Sequence, residues 1–375
     1  MSLPSHGGNV HKIARSQGRS VKRVLDFSAS INPLGLSPAV RRAIQQSIPL
    51  AIHYPEIDAQ PLQQQLAEIH KIPEACLVIG NGSAELISVI PRALGTRHGL
   101  VIGPTFMEFE RALTLAEAHC TYVHATPDAG YAPPIEAVCT TLDRQAGTKR
   151  NKNSDNTVPV DTVFLCHPNS PTGQVISRKQ FDRLMTSVQK AGARIIVDEA
   201  FIDYCASRSV LKNVGKIEGL FVLRSFTKFF AIPGLRIGYL GGPASEISAI
   251  RSLLPPWSVN ILASAAAETA FQDKEYQRQS VMFMNLERKR FRACLQHIPH
   301  VQRVYPSSAN FLLVQLPVHC PVSLLVHELC EQGLLIRDCE NFAGINVPTI
   351  RLAVRRPKEN DRLLKALTRG LLKWS

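Results

Sequence analysis

At 375 residues the chain is long enough for one large core and a smaller one, since single cores rarely grow beyond ~250 to 300 residues. Hydrophobic residues at 45% and charged residues at 19% exclude wholesale disorder, a collagen-like repeat and a coiled coil. Lysine plus arginine outnumber aspartate plus glutamate 43 to 30, and a formal charge of +13 suits either nucleic acid or small anionic ligands.

The start, MSLPSHGGNVHKIARS, lacks the apolar core of a secretory signal, and no apolar run approaches the ~18 to 20 residues that cross a bilayer. These features predict a cytoplasmic chain with no membrane contact. From Cys76 onward, short β-rich runs alternate with helical patterns: CLVIGNG with SAELISVIPRAL, GLVIGPT with FMEFERALTLAEA, DTVFLCHP with SRKQFDRLMTSVQKA, then RIIVDEAF. Alternation of this kind predicts an α/β fold with a mostly parallel sheet. The strands are continuously apolar, as expected where helices cover both faces. LFVLRSF and RIGYLGG continue the sheet after residue 219.

Beyond about residue 244 the pattern changes to long helices, then VYPSSANFLLVQL, a helix from Val322 to Gln332, LLIRDC, TIRLAVR and a last helix from Pro357. We read 1–50 as a segment joining a small domain, 51–273 as the large domain and 274–375 as the small α+β domain. The polar, basic stretch at 145–161 reads as an exposed loop. Nine cysteines without a C-x-x-C pair or matching histidine spacing read as reduced thiols, mostly buried, with no metal site.

Three motifs carry chemistry. GNGSAE (80–85) follows a strand and opens a helix, so the N–H groups of Gly82, Ser83 and Ala84 can cradle a phosphate; alone, it reads better as a tight turn with Ser83 as N-cap. HPNSPTG (167–173) leaves Asn169 at a strand's carboxyl end, where ligands bind in open α/β sheets, and VDEAF places Asp198 at the same edge. There a carboxylate can hold a proton on a heterocyclic nitrogen; in isolation, the asparagine is a turn residue and the aspartate a cap. In SFTKFFAIPGLRIG (225–238), Lys228 lies among aromatics that can lower an amine pKa and make it a Schiff-base nucleophile, with Ser225 and Arg236 able to grip a phosphate. By itself this lysine reads as a snorkelling surface residue.

In this order and spacing, the motifs together with Phe106 resemble the aspartate-aminotransferase type (fold type I) of pyridoxal-phosphate enzyme over nearly the whole chain. The resemblance implies a pyridoxal-phosphate-dependent transferase-like fold, and gives Gly82, Ser83, Ala84, Ser225, Lys228 and Arg236 to the cofactor phosphate and aldehyde. It gives Asn169 to the ring hydroxyl, Asp198 to the pyridine nitrogen and Phe106 to ring stacking. It also implies a homodimer in which Tyr54, from HYPEID, reaches the cofactor phosphate of the other subunit.

Within that type, HGGNVHKIARS, LDFSASINPLGLSP, DEAFIDY, LRSFTKFFAIPGLRIGYL, PPWSVN and LLIRDCENF resemble the threonine-phosphate decarboxylases of cobalamin synthesis, relatives of the histidinol-phosphate aminotransferases. This resemblance implies decarboxylation of L-threonine O-3-phosphate to (R)-1-aminopropan-2-ol phosphate, with Lys228 and Asp198 catalytic. His6, Gly7, Asn32, Asn169, Arg337 and Arg351 would contact the substrate. Two arginines suit such a substrate, because each can pair bidentately with one oxyanion.

Two departures stand out: Ser170 replaces a frequent second asparagine, and Phe201 replaces the tyrosine of many aminotransferases, leaving the ring oxygen to Asn169. The alternative on the same scaffold is a histidinol-phosphate or other phospho-amino-acid aminotransferase. A nucleic-acid binder using KRNK (149–152) and RKRFR (288–292) is the reading from another class, disfavoured because the basic residues are dispersed.

Overall fold

The structure is a computed structural model that describes residues 7–148 and 158–374; His6 and the KRNK run lie outside the described residues. The amino-terminal part contributes α1 (Val10–Ser16), β1 (Leu25–Asp26), α2 (Pro38–Ser47) and α3 (Gln60–His70). Next come β2 (Leu77–Gly80), α4 (Ser83–Ala93), β3 (His98–Gly103), α5 (Glu108–Leu115), β4 (His119–His124) and α6 (Ile135–Thr148). They are followed by β5 (Thr162–Cys166), α7 (Arg178–Ala191), β6 (Arg194–Asp198), β7 (Leu220–Ser225), β8 (Gly238–Gly241) and α8 (Ala244–Ser252).

Strands β2 to β8 form one sheet in the order β2-β8-β7-β6-β5-β3-β4, in which only β8 runs antiparallel to its neighbours. The connection before β8 explains the reversal. Residues 226–237 hold a single 3₁₀ turn and no crossover helix, so the chain cannot return parallel to β7. Side chains of the central strands alternate between two cores. Val163, Leu165, Ile195 and Val197 pack with α6 and α7, whereas Phe164, Cys166, Ile196 and Phe221 pack with α4, α5 and α8. Continuous apolar strands are the outcome, since both faces are covered. Ser177 and Gln180 form a capping box at the start of α7, and Gly192 ends it in the left-handed region.

The remaining elements are α9 (Ile261–Gln272), α10 (Lys274–Gln296), β9 (Arg303–Val304), β10 (Phe311–Gln315), α11 (Val322–Glu331), β11 (Leu334–Leu335), β12 (Arg337–Asp338), β13 (Thr349–Ala353) and α12 (Pro357–Leu371). An antiparallel sheet runs β12-β13-β10-β9, while β11 pairs in parallel with β1, bringing Leu25 beside Leu334. LLIRDC therefore breaks at Ile336 and serves two sheets. The stretch 145–161, read as a loop, begins inside α6, where the Gln145 amide exchanges hydrogen bonds with the Val160 backbone. No helix among the described residues is long and apolar enough to cross a membrane.

Candidate active site

A cavity of about 580 Å³ opens at the carboxyl ends of β5 and β6, and Ser83, Phe106, Asp198, Phe201, Lys228, Arg337 and Arg351 lie on its wall. Cys166 and Asp198 are register partners at the ends of those strands. Asp198 is 3% exposed, and its Oδ1 accepts from the Ala200 N–H at 2.9 Å. Burial pushes its carboxyl up to about 6, opposed by the Ala200 N–H and the Lys228 ammonium.

Lys228 follows β7, with its Nζ donating to Thr227 Oγ1 at 3.2 Å. Burial, then the cations of Arg236 and Arg351, bring its amine down to about 8, with Asp198 opposing. An amine held there is substantially neutral near pH 8, as a nucleophile and proton carrier must be.

The phosphate end is built by close approach. Gly82 has φ +85°, a conformation open to glycine, and caps α4; a Cβ on it would lie 2.7 Å from Nη2 of Arg236. A Cβ on Gly238 would lie 2.7 Å from the Ser83 nitrogen, so β8 also begins with the residue that lets the helix start approach it. First-turn N–H groups, which have no partner inside a helix, thus meet a guanidinium. Ser83 is the first helical residue and Gly82 the cap, against the reading of Ser83 as N-cap. Ser225 Oγ bonds Thr227 Oγ1 at 2.8 Å, tying the two hydroxyls beside the lysine.

Also on the cleft wall, Arg337 and Arg351 are register partners on β12 and β13. Arg351 donates to Ser170 Oγ at 2.8 Å and to the Ser28 carbonyl at 2.7 Å, both neutral, and its Nε is buried without a partner. Burial, reinforced by Arg337, brings it down to about 10. Arg337 donates to Asn341 Oδ1 at 2.9 Å and lies over the Phe342 ring, and burial lowers it too. Two desolvated guanidinium groups side by side form a receiver for an anion.

Two expected contacts differ. The Asn32 amide donates to the Phe229 carbonyl at 2.8 Å and to Ser280 Oγ at 2.7 Å, and the Asn32 N–H donates to the Lys228 carbonyl at 2.9 Å. Its side chain holds the lysine segment and has no hydrogen left for a substrate. Ser30 lies on the cleft wall instead, with a buried, unpartnered Oγ, and in this irregular stretch no local pattern separates it from Asn32. Asn169 spends both amide hydrogens on the Pro104 carbonyl and Thr172 Oγ1, and its Oδ1 accepts from Thr105 Oγ1, so touching a ring oxygen requires one bond to be exchanged.

Phe106 stands edge-on to Phe109, and Phe201 edge-on to Phe311, over which Arg351 lies. Gly7 is on the cleft wall with Gly8 and His11, while Ala84 lies in the first turn of α4. Tyr54 is 81% exposed and lies against Trp257, the two rings tilted at 34° with centroids 5.0 Å apart. In RKRFR, Arg288 and Arg292 donate to the carbonyls of Ala309 and Val304 and Arg290 pairs with Glu287 and Asp361, so these arginines are spent inside the chain.

A lysine, a buried carboxylate and a glycine-built helix start facing an arginine, at the strand ends of one mostly parallel sheet, suit an enzyme that holds a cofactor carrying an aldehyde, a basic ring nitrogen and a phosphate. The chain belongs to the aminotransferase class I and II family, whose model matches residues 22–367. It is 34% identical over 366 residues to the threonine-phosphate decarboxylase of Salmonella typhimurium, spanning 97% of this chain and 95% of that one. The adenosylcobalamin biosynthesis bifunctional protein CobDQ of Leptospira interrogans is 30% identical over 370 residues, 98% of this chain and 41% of that one. Among solved structures, the histidinol-phosphate aminotransferase of Clostridium acetobutylicum matches with a TM-score of 0.83 at 28% identity, covering 93% of this chain and all of that one.

The residues fit pyridoxal 5'-phosphate. Asp198 is a buried carboxylate whose one N–H donor leaves its charge under-compensated, a deficit that a protonated ring nitrogen fills. The space over Gly82 that a Cβ would fill faces Arg236 and suits a phosphate oxygen.

Proposed function

We propose that the chain decarboxylates L-threonine O-3-phosphate to (R)-1-aminopropan-2-ol phosphate, using pyridoxal 5'-phosphate, in cobalamin synthesis. The observation that carries this reading is that the Arg337 and Arg351 pair shares one cleft with Lys228 and Asp198. A substrate with both a carboxylate and a phosphate supplies the two anionic groups such a pair calls for.

Bound in this cleft, pyridoxal phosphate supplies an aldehyde for the substrate amine and a ring that takes up the electron pair released at the α-carbon. Asp198 would keep the proton on the ring nitrogen. Arg236 and the start of α4 would hold the cofactor phosphate, with Phe106 on the cleft wall beside it. Arg337 and Arg351 would orient the substrate by its anionic groups, and Lys228 would return a proton to the α-carbon after carbon dioxide leaves. Phe201 offers no phenol there, in keeping with the decarboxylase reading.

Residues 51–273 would hold the cofactor, with 1–50 and 274–375 closing on the substrate. A second copy would cover the apolar face of Ile48, Leu50, Ile52, Tyr54, Ile57 and Trp257, in which Ile52 is 84% exposed, making a homodimer with Tyr54 at the partner's site. A cytoplasmic location fits nine free thiols. Spectroscopic titration of the holoenzyme tests substrate choice. Phosphothreonine should perturb the cofactor absorbance at concentrations at least a hundredfold lower than threonine, roughly the worth of one buried charge pair; equal potency would remove the phosphate from recognition.

A further inference from the structure

We propose that Ser28 is a positioning residue, whose hydroxyl seats the Gly7–Gly8 arm over the cleft and whose carbonyl fixes Arg351. This rests on the substrate reading above. The Gly8 N–H donates to Ser28 Oγ at 2.8 Å, and that hydroxyl donates its one hydrogen to Asp26 Oδ1 at 2.6 Å. Because a backbone N–H can only donate, the direction of this chain is fixed, and the carboxylate at its end makes the serine oxygen a stronger acceptor.

Asp26 Oδ1 also accepts from the N–H groups of Ser28 at 2.8 Å and Ala29 at 3.1 Å, so one carboxylate shapes the whole turn. The same turn presents the Ser28 carbonyl to Nη2 of Arg351 at 2.7 Å. The arm packs on that carbonyl: a Cβ on Gly7 would lie 2.3 Å from it, closer than any real contact, and Gly8 has φ +87°. Gly7, Gly8 and His11 form cleft wall along with Arg337 and Arg351. One buried serine therefore joins the element that walls the cleft to the guanidinium that grips the anion.

Ser28→Ala isolates the joint. It removes the arm's hydrogen bond, while Asp26 Oδ1 keeps two backbone donors and Arg351 keeps its carbonyl. KM for phosphothreonine should rise about five- to tenfold, the weight of one buried hydrogen bond, with kcat changing much less. Ser28→Cys, whose sulfur is a weaker acceptor of similar shape, should fall in between. Gly7→Ala should also unseat the arm, so the double variant with Ser28→Ala should have a KM no higher than the worse single variant.

Hydrogen exchange of the Gly8 amide on the holoenzyme reads the joint without substrate. Exchange should quicken in Ser28→Ala and in Gly7→Ala while the cofactor spectrum stays that of wild type. Unchanged Gly8 exchange in Ser28→Ala, or additive KM increases in the double variant, would overturn the proposal. If wild type fails to turn over phosphothreonine, the substrate reading falls, and Gly8 exchange still decides the role of Ser28.

Discussion

Arg337 and Arg351 occupy opposed positions on adjacent antiparallel strands, a pairing of like charges that is unfavourable until an anion lies between them. Arg351 answers it with neutral partners, Ser170 and Ser28, which satisfy hydrogen bonds and leave the charge for a ligand. Geometry that costs the free enzyme stability is a mark of a binding site.

Removing either guanidinium should therefore weaken phosphothreonine far more than it weakens the cofactor. Arg351→Ala and Arg337→Ala each strip one partner from a buried charge pair, a change worth about 2 to 5 kcal/mol, or at least about thirtyfold in substrate affinity. Cofactor affinity should move less than threefold. Titration of each variant with phosphothreonine, and of its cofactor-free form with pyridoxal phosphate, separates the two effects; unchanged substrate affinity in both variants would remove the pair from the site.

Asp198→Asn should lower turnover by orders of magnitude, because an unprotonated ring is a poor electron sink, and yet stabilise the cofactor-free chain. The carboxyl sits near 6 rather than its usual 3.8 because it is buried. Between those values the folded chain keeps a proton that the unfolded chain has released, so folding grows less favourable as pH rises toward about 6 and carries the full cost above it. Asparagine carries no such cost. Thermal melting of the cofactor-free variant should show a gain over wild type that is small at pH 4 and largest above pH 7, at most about 3 kcal/mol for a shift of this size. A gain that does not grow with pH would contradict the buried-carboxylate account.

Lys228 near 8 predicts how cofactor capture depends on pH, since only the neutral amine attacks an aldehyde. The rate at which cofactor-free protein develops the bound absorbance should climb through about pH 8 and level off above it. Borohydride should then fix the label on the peptide containing Lys228. Label on any other lysine, or a capture rate still climbing tenfold per unit at pH 10, would place the reactive amine elsewhere.

Most of the scaffold was legible because its strands are continuously apolar and its loops carry glycine and proline where the chain turns. Gly82, Asp198 and Lys228 do sit within or beside strand ends, as their motifs placed them, but taken singly they read as a turn, a cap and a surface lysine, and only the resemblance carried by the whole set of motifs joined them into one site. The substrate side was harder. Asn32 and Ser30 are two residues apart, so nothing local says which one looks into the cleft, and contacts from Phe229 and Ser280 far along the chain draw the asparagine inward. The break at Ile336 was invisible because β1, from the other end of the chain, is what pairs with Leu334. Asn169 does lie just past the end of β5, but apart from Thr172 in its own loop the partners that occupy its amide are Pro104 and Thr105 on a different strand's loop.

The two-copy site has its own test. Chains carrying Lys228→Ala and chains carrying Tyr54→Ala, each inactive, are mixed under exchange conditions. A mixed dimer holds one site with both residues intact, so statistical mixing should return about a quarter of wild-type activity. No recovery despite verified exchange, or a fully active monomer, would refute the shared site.

The central claim, that this cleft breaks the carboxylate bond of a phosphorylated amino acid, is tested most directly with L-threonine O-3-phosphate labelled at the carboxyl carbon. Wild-type holoenzyme should release labelled carbon dioxide in step with aminopropanol phosphate, with no keto acid formed and no amino acceptor required, and histidinol phosphate should give no product. Retention of the label in a keto acid, with turnover that depends on an added 2-oxo acid, would contradict the account and make the chain an aminotransferase.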